Sequence, residues 1–289
     1  MEYITLNNGV QMPKVGFGVF QVDDLAACEK AVAEAIDVGY RHIDTAVSYR
    51  NEEAVGAAIA KSGVPRDELF VTTKAYIHQM GYEKTLAAFD ESLEKLGLDY
   101  LDLYLVHMPF GDYYGAWRAM EELYCAGRVR AIGVSNFGAD RIVDLARNFE
   151  VVPAVDQLEL HPFYQREDEI SVLSGLGVAP ECWAPFAEGL NGMFDNPVLA
   201  AIASAHSVSV AQVVLRWNVQ RGVPVIPKSV HRERMEQNLD VFGFELTADE
   251  MAAIAALDLG RPQMFDPRDP AEVARVYDYM ENPVLTTLQ

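Results

Sequence analysis

The chain has 289 residues, half of them hydrophobic, and a net charge of −20 from 23 basic and 43 acidic side chains. That length accommodates one large barrel or two modest domains, and the apolar content argues against disorder. The charge repels nucleic-acid phosphates and acidic membrane surfaces, so an anionic ligand requires a locally basic site.

In chain order, the first predicted element is a hairpin: Ile4-Thr5-Leu6, a turn at Asn8-Gly9, then Val10-Gln11-Met12. Short apolar runs follow at 14–17, 40–43, 69–72, 101–106, 129–134, 154–158, 178–183 and 223–226. Amphipathic stretches such as 25–38, 82–96 and 211–220 lie between them, as helices would. Strands that alternate with helices predict a parallel sheet, and the length suits a closed (β/α)8 barrel of about 250 residues plus additions. Gly16-Phe17-Gly18, with Asp44 further on, mimics a dinucleotide fingerprint, but Gln21 occupies the place of the third glycine. The pair is read instead as a tight first loop. Beyond Gly260, Arg261-Pro262, Asp266-Pro267 and Asp269-Pro270 break regular structure. Residues 261–289 are expected as a tail folded over the barrel, with a short helix near 271–279, and residues 1–289 as a single domain.

Asp44, Lys74, His107, Ser135-Asn136, Gln157 and Lys228-Ser229 fall at or just past the C-terminal ends of these runs. In such barrels the loops at that end surround one mouth, where the chemistry is done. Strand capping would explain any one of them, but it explains the whole set poorly. No apolar run approaches the about 18 residues of a membrane span. The start, Met1-Glu2-Tyr3, has neither the basic nor the apolar region of a secretory signal. Cys28, Cys125 and Cys182 are too far apart for a CxxC pair and suggest a reducing cytoplasm.

One motif is specific: Gly39-Tyr-Arg-His-Ile-Asp-Thr-Ala-Val-Ser-Tyr-Arg-Asn-Glu52. Together with Lys74 in Val71-Thr-Thr-Lys74 and His107 in Leu103-Tyr-Leu-Val-His107, it resembles the aldo-keto reductase family. Ala131-Ile-Gly-Val-Ser-Asn-Phe137, Asp156-Gln-Leu-Glu-Leu-His-Pro162 and the stretch 226–238 extend the resemblance over essentially the whole chain. Gly16-Phe-Gly-Val-Phe20 and Cys182-Trp-Ala-Pro185 resemble bacterial members of the type that includes 2,5-diketo-D-gluconate reductases.

The resemblance implies NADPH-dependent reduction of an aldehyde or ketone, in which a proton must reach the developing alkoxide. A free tyrosine, with a pKa near ~10, is a feeble acid, and an adjacent ammonium makes it a better one. The family's catalytic roles fall on Tyr49 as acid, Lys74 as the ammonium, Asp44 as its partner and His107 as donor to the carbonyl oxygen. Taken singly, each has a structural reading: a buried ion pair, a core tyrosine, a capping histidine.

By the same resemblance Ser135, Asn136 and Gln157 meet the nicotinamide carboxamide and Trp183 its ring face, with Val19 and Phe20 beside the cofactor. Lys228, Ser229 and Arg234 hold the 2′-phosphate at a helix start, Val230 lies beside the cofactor, and Gln237 and Asn238 face the adenine. Phe20, Tyr76 and Met108 join Tyr49 and His107 around the substrate. The chain departs from the family pattern in places: Gln237 replaces a common glutamate, His231 a common arginine, and Tyr76 and Met108 common tryptophans. Glu188, in the loop 186–196 expected to cross the cofactor, would repel a pyrophosphate if it faced inward.

Two other readings compete. A metal hydrolase would need ligands beyond His107, but the six histidines contain no HxH or HExxH motif, and His42 and His161 read as structural. A regulatory or structural protein could keep the fold and cofactor without turnover. The expected partner is a small carbonyl compound, with neither nucleic acid nor membrane, and the expected state is a cytoplasmic monomer.

Overall fold

The computed structural model describes residues 1–281. It opens with two antiparallel strands, β1 (Tyr3–Thr5) and β2 (Gln11–Pro13), with Ile4 opposite Met12. Each strand is displaced by one residue from the expected run. Gly9 takes φ 86° in the connecting turn, a conformation that favours glycine. The side chains of Asn7 and Asn8 donate to the carbonyls of Pro153 and Arg130 at 3.0 and 2.8 Å. Leu6 and Met12 pack with Phe70, Leu103 and Val155, so the hairpin closes the N-terminal end of the barrel.

Seven parallel strands follow, each bonded to the next: β3 (Phe17–Gly18), β4 (His42–Asp44), β5 (Phe70–Ala75), β6 (Leu101–Val106), β7 (Val129–Ser135), β8 (Val155–Glu159) and β9 (Ala179–Trp183). The helices between them are α1 (Leu25–Val38), α2 (Glu52–Ser62), α3 (Tyr82–Leu96), α4 (Tyr113–Cys125), α5 (Ala139–Asn148) and α6 (Glu167–Gly175). Helices α7 (Pro197–His206) and α8 (Val210–Gln220) come after β9. Helix α1 shows why the local sequence folds this way. The Asp24 side chain accepts from the Ala27 N–H at 2.7 Å, Gly39 ends the helix at φ 121°, and Cys28, Ala31, Val32, Ala35 and Ile36 form one buried face. Strand β6 is buried along its whole length, as a barrel strand covered by helices must be.

The expected eighth strand is reduced to a single bridging residue. Val225 bridges Val15 on one side and Cys182 on the other, which closes the ring. Pro224 and Pro227 flank it and have no N–H to continue a ladder. Nor do Gly16 and Gly18 form the tight loop expected of them, because Gly18 lies in β3 and Gly16 just before it. A Cβ on Gly16 would come within 2.6 Å of His42 Nδ1, and one on Gly18 within 3.2 Å of the Ile226 carbonyl. The His42 ring thus requires glycine at position 16, and a side chain at position 18 would press on the Ile226 carbonyl.

Three more helices follow: α9 (Arg232–Leu239), α10 (Ala248–Ala255) and α11 (Pro270–Glu281). The tail folds back onto the barrel. Backbone N–H groups of Gln263, Met264 and Phe265 donate to the buried Glu159 carboxylate at 2.7, 3.2 and 3.3 Å. From α11, Val276 packs with Tyr76, Ile77 and Phe110. Residues 282–289 of the expected tail lie outside the described residues. Among the described residues no single helix is long and apolar enough to cross a membrane.

Candidate active site

Asp44 is the last residue of β4, Lys74 lies near the end of β5 and His107 directly follows β6, so parallel register brings all three to one end of the barrel. Tyr49 arrives on a single 3-10 turn, Val47–Tyr49. That turn is tied down from both sides. The Thr45 hydroxyl donates to Asn51 Oδ1 at 2.8 Å, and Asn51 Nδ2 donates to the Val19 carbonyl at 3.0 Å. The Thr73 hydroxyl donates to Glu52 at 2.7 Å. Asn51 and Glu52 were visible in the motif, but the resemblance assigned them no role. Their work is to fix the turn that presents Tyr49.

Lys74 is fully buried and donates to Asp44 Oδ1 at 2.5 Å and to the Thr45 carbonyl at 2.9 Å. Burial disfavours its charge, but the neighbouring Asp44 and Tyr49 outweigh this and hold Lys74 above its ordinary value. The Lys74 ammonium lies 5.0 Å from the centre of the Tyr49 ring. Burial raises the Tyr49 phenol, Lys74 pulls it down and Asp44 pushes it up, so the net direction is upward. Lys74 therefore acts in the expected sense without overcoming burial. Burial and then Lys74 hold His107 well below 6.5, so it is a neutral imidazole at neutral pH. Its ring packs edge-on against both Tyr49 and Tyr76, with centroids 5.6 and 5.5 Å apart. Ser48 Oγ lies 3.4 Å from His107 Nδ1, a neighbour that sequence reasoning passed over.

The residues expected around a carboxamide also converge. The Ser135 hydroxyl donates to the Gln157 carbonyl at 2.8 Å. Asn136 Nδ2 donates to the His107 carbonyl at 3.0 Å, and Asn136 Oδ1 accepts from the Trp183 indole at 3.0 Å. Gln157 Nε2 donates to Asp44 Oδ2 and to Glu181 Oε2, each at 2.8 Å. Among the described residues, nothing donates to Gln157 Oε1 within hydrogen-bond distance. Phe20 is 49% exposed and stacks obliquely on Tyr49 at 5.0 Å, whereas Val19 is buried beneath it.

Lys228 and Val230 are exposed and Ser229 is buried, with Ser229 Oγ accepting from the His231 N–H at 3.1 Å. On α9, Arg234 and Gln237 are exposed and Asn238 is buried. Arg232 is paired with Asp37 and Glu236, whereas among the described residues neither Lys228 nor Arg234 meets a carboxylate. A cleft of about 460 Å³ runs past Val230, His231 and Arg234 and includes Lys30, a cation the motifs did not reveal. An open acceptor at Gln157 and two unpaired cations at a helix start fit a nicotinamide dinucleotide carrying a 2′-phosphate. Glu188 is exposed and accepts from Gln21 Nε2 at 3.3 Å, so its carboxylate is engaged across the mouth by the first loop.

Tyr76, which packs on His107, forms one apolar cluster with half-buried Met108, Phe110, Phe265, Val273 and Val276. The last four escaped notice because three belong to the tail and none sits at a strand end.

Known proteins share this sequence and fold. The model of the aldo/keto reductase family matches residues 14–259. The chain is 48% identical over 258 residues to glyoxal reductase of Bacillus subtilis, covering 89% of this chain and 93% of that protein. It is 48% identical over 280 residues to morphine 6-dehydrogenase of Pseudomonas putida, covering 92% and 94%. The solved structure of a Bombyx mori aldo-keto reductase in complex with NADP superposes with a TM-score of 0.87 at 36% identity, covering 96% of each chain. Fold, motifs and mouth thus lead to one conclusion: this chain belongs to the aldo/keto reductase family and is an NADP(H)-dependent oxidoreductase of aldehyde and ketone groups.

Proposed function

We propose that the chain reduces the carbonyl of small aldehydes, dicarbonyls or keto sugar acids, with Tyr49 delivering the proton. The observation that carries this reading is the buried Lys74–Asp44 pair beneath half-buried Tyr49 and beside neutral His107. NADPH, when bound, supplies the hydride. Ser135, Asn136 and Gln157 would hold its carboxamide, Trp183 its ring face, and Lys228, Ser229 and Arg234 its 2′-phosphate, with Val230 beside the cofactor and Gln237 and Asn238 at the adenine.

The protein's own work is binding, orientation and proton delivery. A neutral His107 can donate one ring N–H to the carbonyl oxygen and aim it at Tyr49. As charge builds on that oxygen, the Tyr49 hydroxyl donates its proton, and the nearby Lys74 ammonium stabilises the phenolate that remains. Asp44 keeps Lys74 charged and aimed. The tail and the aromatic wall narrow the mouth and exclude water, which strengthens each of these interactions.

The site is complete within one chain, which supports a monomer built as a single domain. Its three cysteines are free, in keeping with a cytoplasmic protein. Loss of NADPH absorbance with a panel of small aldehydes and diketones tests the function. Tyr49→Phe is expected to abolish turnover while NADPH still binds, and near-normal turnover in that variant refutes the assignment.

A further inference from the structure

The barrel interior below the Lys74–Asp44 pair holds a second acid that the mechanism leaves unused. Glu181, in β9, is fully buried and stands opposite Gln157 in the sheet register. Its Oε2 accepts from Gln157 Nε2 at 2.8 Å, the same nitrogen that donates to Asp44 Oδ2 at 2.8 Å. An amide nitrogen has two hydrogens, and both are committed here, so Gln157 retains only Oε1 for a ligand.

Among the described residues, the other Glu181 oxygen, Oε1, is buried without a hydrogen bond, and so is His42 Nδ1, which lies 3.7 Å away. That gap exceeds hydrogen-bond length by about half an ångström, so a bond between them requires a small side-chain rotation. His42 Nε2 already meets the Thr72 hydroxyl at 3.0 Å. The ring fits only because position 16 is glycine: any Cβ there would strike His42 Nδ1 at 2.6 Å. Gly16 is one of the two glycines that mimicked a dinucleotide fingerprint, and here it makes room for a histidine.

The groups facing Glu181 are Asp44 and His42 on β4, Lys74 on β5 and Gln157 on β8. They hold one firm cation, Lys74, against two acids. Burial and then Lys74 keep His42 neutral, down at about 3, while burial and then the Asp44 charge lift Glu181 to about 8. One acid can be ionised against Lys74, and Asp44 is in direct contact with it.

We propose that Glu181 is a positioning residue: as a neutral acid it accepts from Gln157 and donates to His42 Nδ1, locking the Gln157 amide so that Oε1 accepts from the amino group of the nicotinamide carboxamide. This rests on the proposed contact between Gln157 and the carboxamide.

The test uses the full-length protein, with fluorescence titration of NADPH and of its 3-acetylpyridine analogue, which lacks that amino group. Glu181→Gln presents the same acceptor to Gln157 and a donor to His42, so NADPH affinity should stay within about twofold of wild type. Glu181→Leu frees the Gln157 amide and should weaken NADPH about three- to tenfold while leaving the analogue unchanged. If that variant does not fold, Glu181→Asp, too short to reach both partners, should show the same selective loss.

Equal weakening of both cofactors, or a loss in Glu181→Gln as large as in Glu181→Leu, overturns the proposal. Wild type binding both cofactors equally, with Gln157→Leu affecting neither, overturns the Gln157 contact itself. That result is distinct from failure of Glu181 alone, in which wild type and Glu181→Leu discriminate between the cofactors to the same degree.

Discussion

Asp44→Asn removes one charge from a buried pair without changing its shape. Asp44 is 1% exposed, and its two oxygens accept from Lys74 at 2.5 Å and from Gln157 at 2.8 Å. Stranding a buried partner costs about 3–5 kcal/mol, the loss expected in urea denaturation near neutral pH. Activity should fall as well, because burial then pushes Lys74 to release its proton. Two unit charges about 5 Å apart, the distance from the Lys74 ammonium to the centre of the Tyr49 ring, interact by roughly 3 kcal/mol at an effective dielectric near 20. Losing that assistance corresponds to about a hundredfold in kcat. The two proteins should also respond to pH with opposite signs. In the native chain the folded pKa of Lys74 is raised, so its stabilisation is full below the unfolded value near ~10.4 and is lost as pH rises through the folded value. In Asp44→Asn the folded pKa is depressed, so the unfolded chain binds the extra proton and stability rises as pH climbs toward about 10.4. Groups common to both proteins cancel in the difference of urea midpoints between about pH 7 and about pH 10. A variant with wild-type kcat, or a midpoint difference that does not shrink as pH rises, refutes the reasoning.

Lys228→Ala and Arg234→Ala should each weaken NADPH about tenfold and leave NADH nearly unchanged, because only NADPH carries the 2′-phosphate these unpaired cations would meet. Equal losses for both cofactors in parallel titrations would show that the residues shape the fold instead. Glu159→Ala should release the tail, since one carboxylate holds the N–H groups of Gln263, Met264 and Phe265. The expected signs are faster proteolytic cleavage within 261–270 and a several-fold higher KM for small carbonyls. An intact tail with unchanged KM would mean that Phe265 and Val276 stay in place by apolar packing alone.

Much of this protein is local enough to be legible along the chain. The hairpin turn, the helices over 25–38 and 82–96, the alternating strands and the strand-end positions of Asp44, Lys74 and His107 all follow from periodicity and turn chemistry. Each is governed by neighbours a few residues apart, which is what a pattern records. The tertiary structure decided what meets across the barrel. Glu159 meets backbone more than a hundred residues later, Glu181 faces His42, and Gly16 yields space to that same ring. Strand register and ring closure set those encounters, and no local pattern encodes them. The eighth strand failed for a similar reason: an apolar run marks burial, but ladder bonds need N–H groups that Pro224 and Pro227 lack. The Tyr49 phenol is the clearest case. Its role and its Lys74 neighbour were implied by the family resemblance, but the balance between that ammonium and burial exists only once the barrel has closed around them.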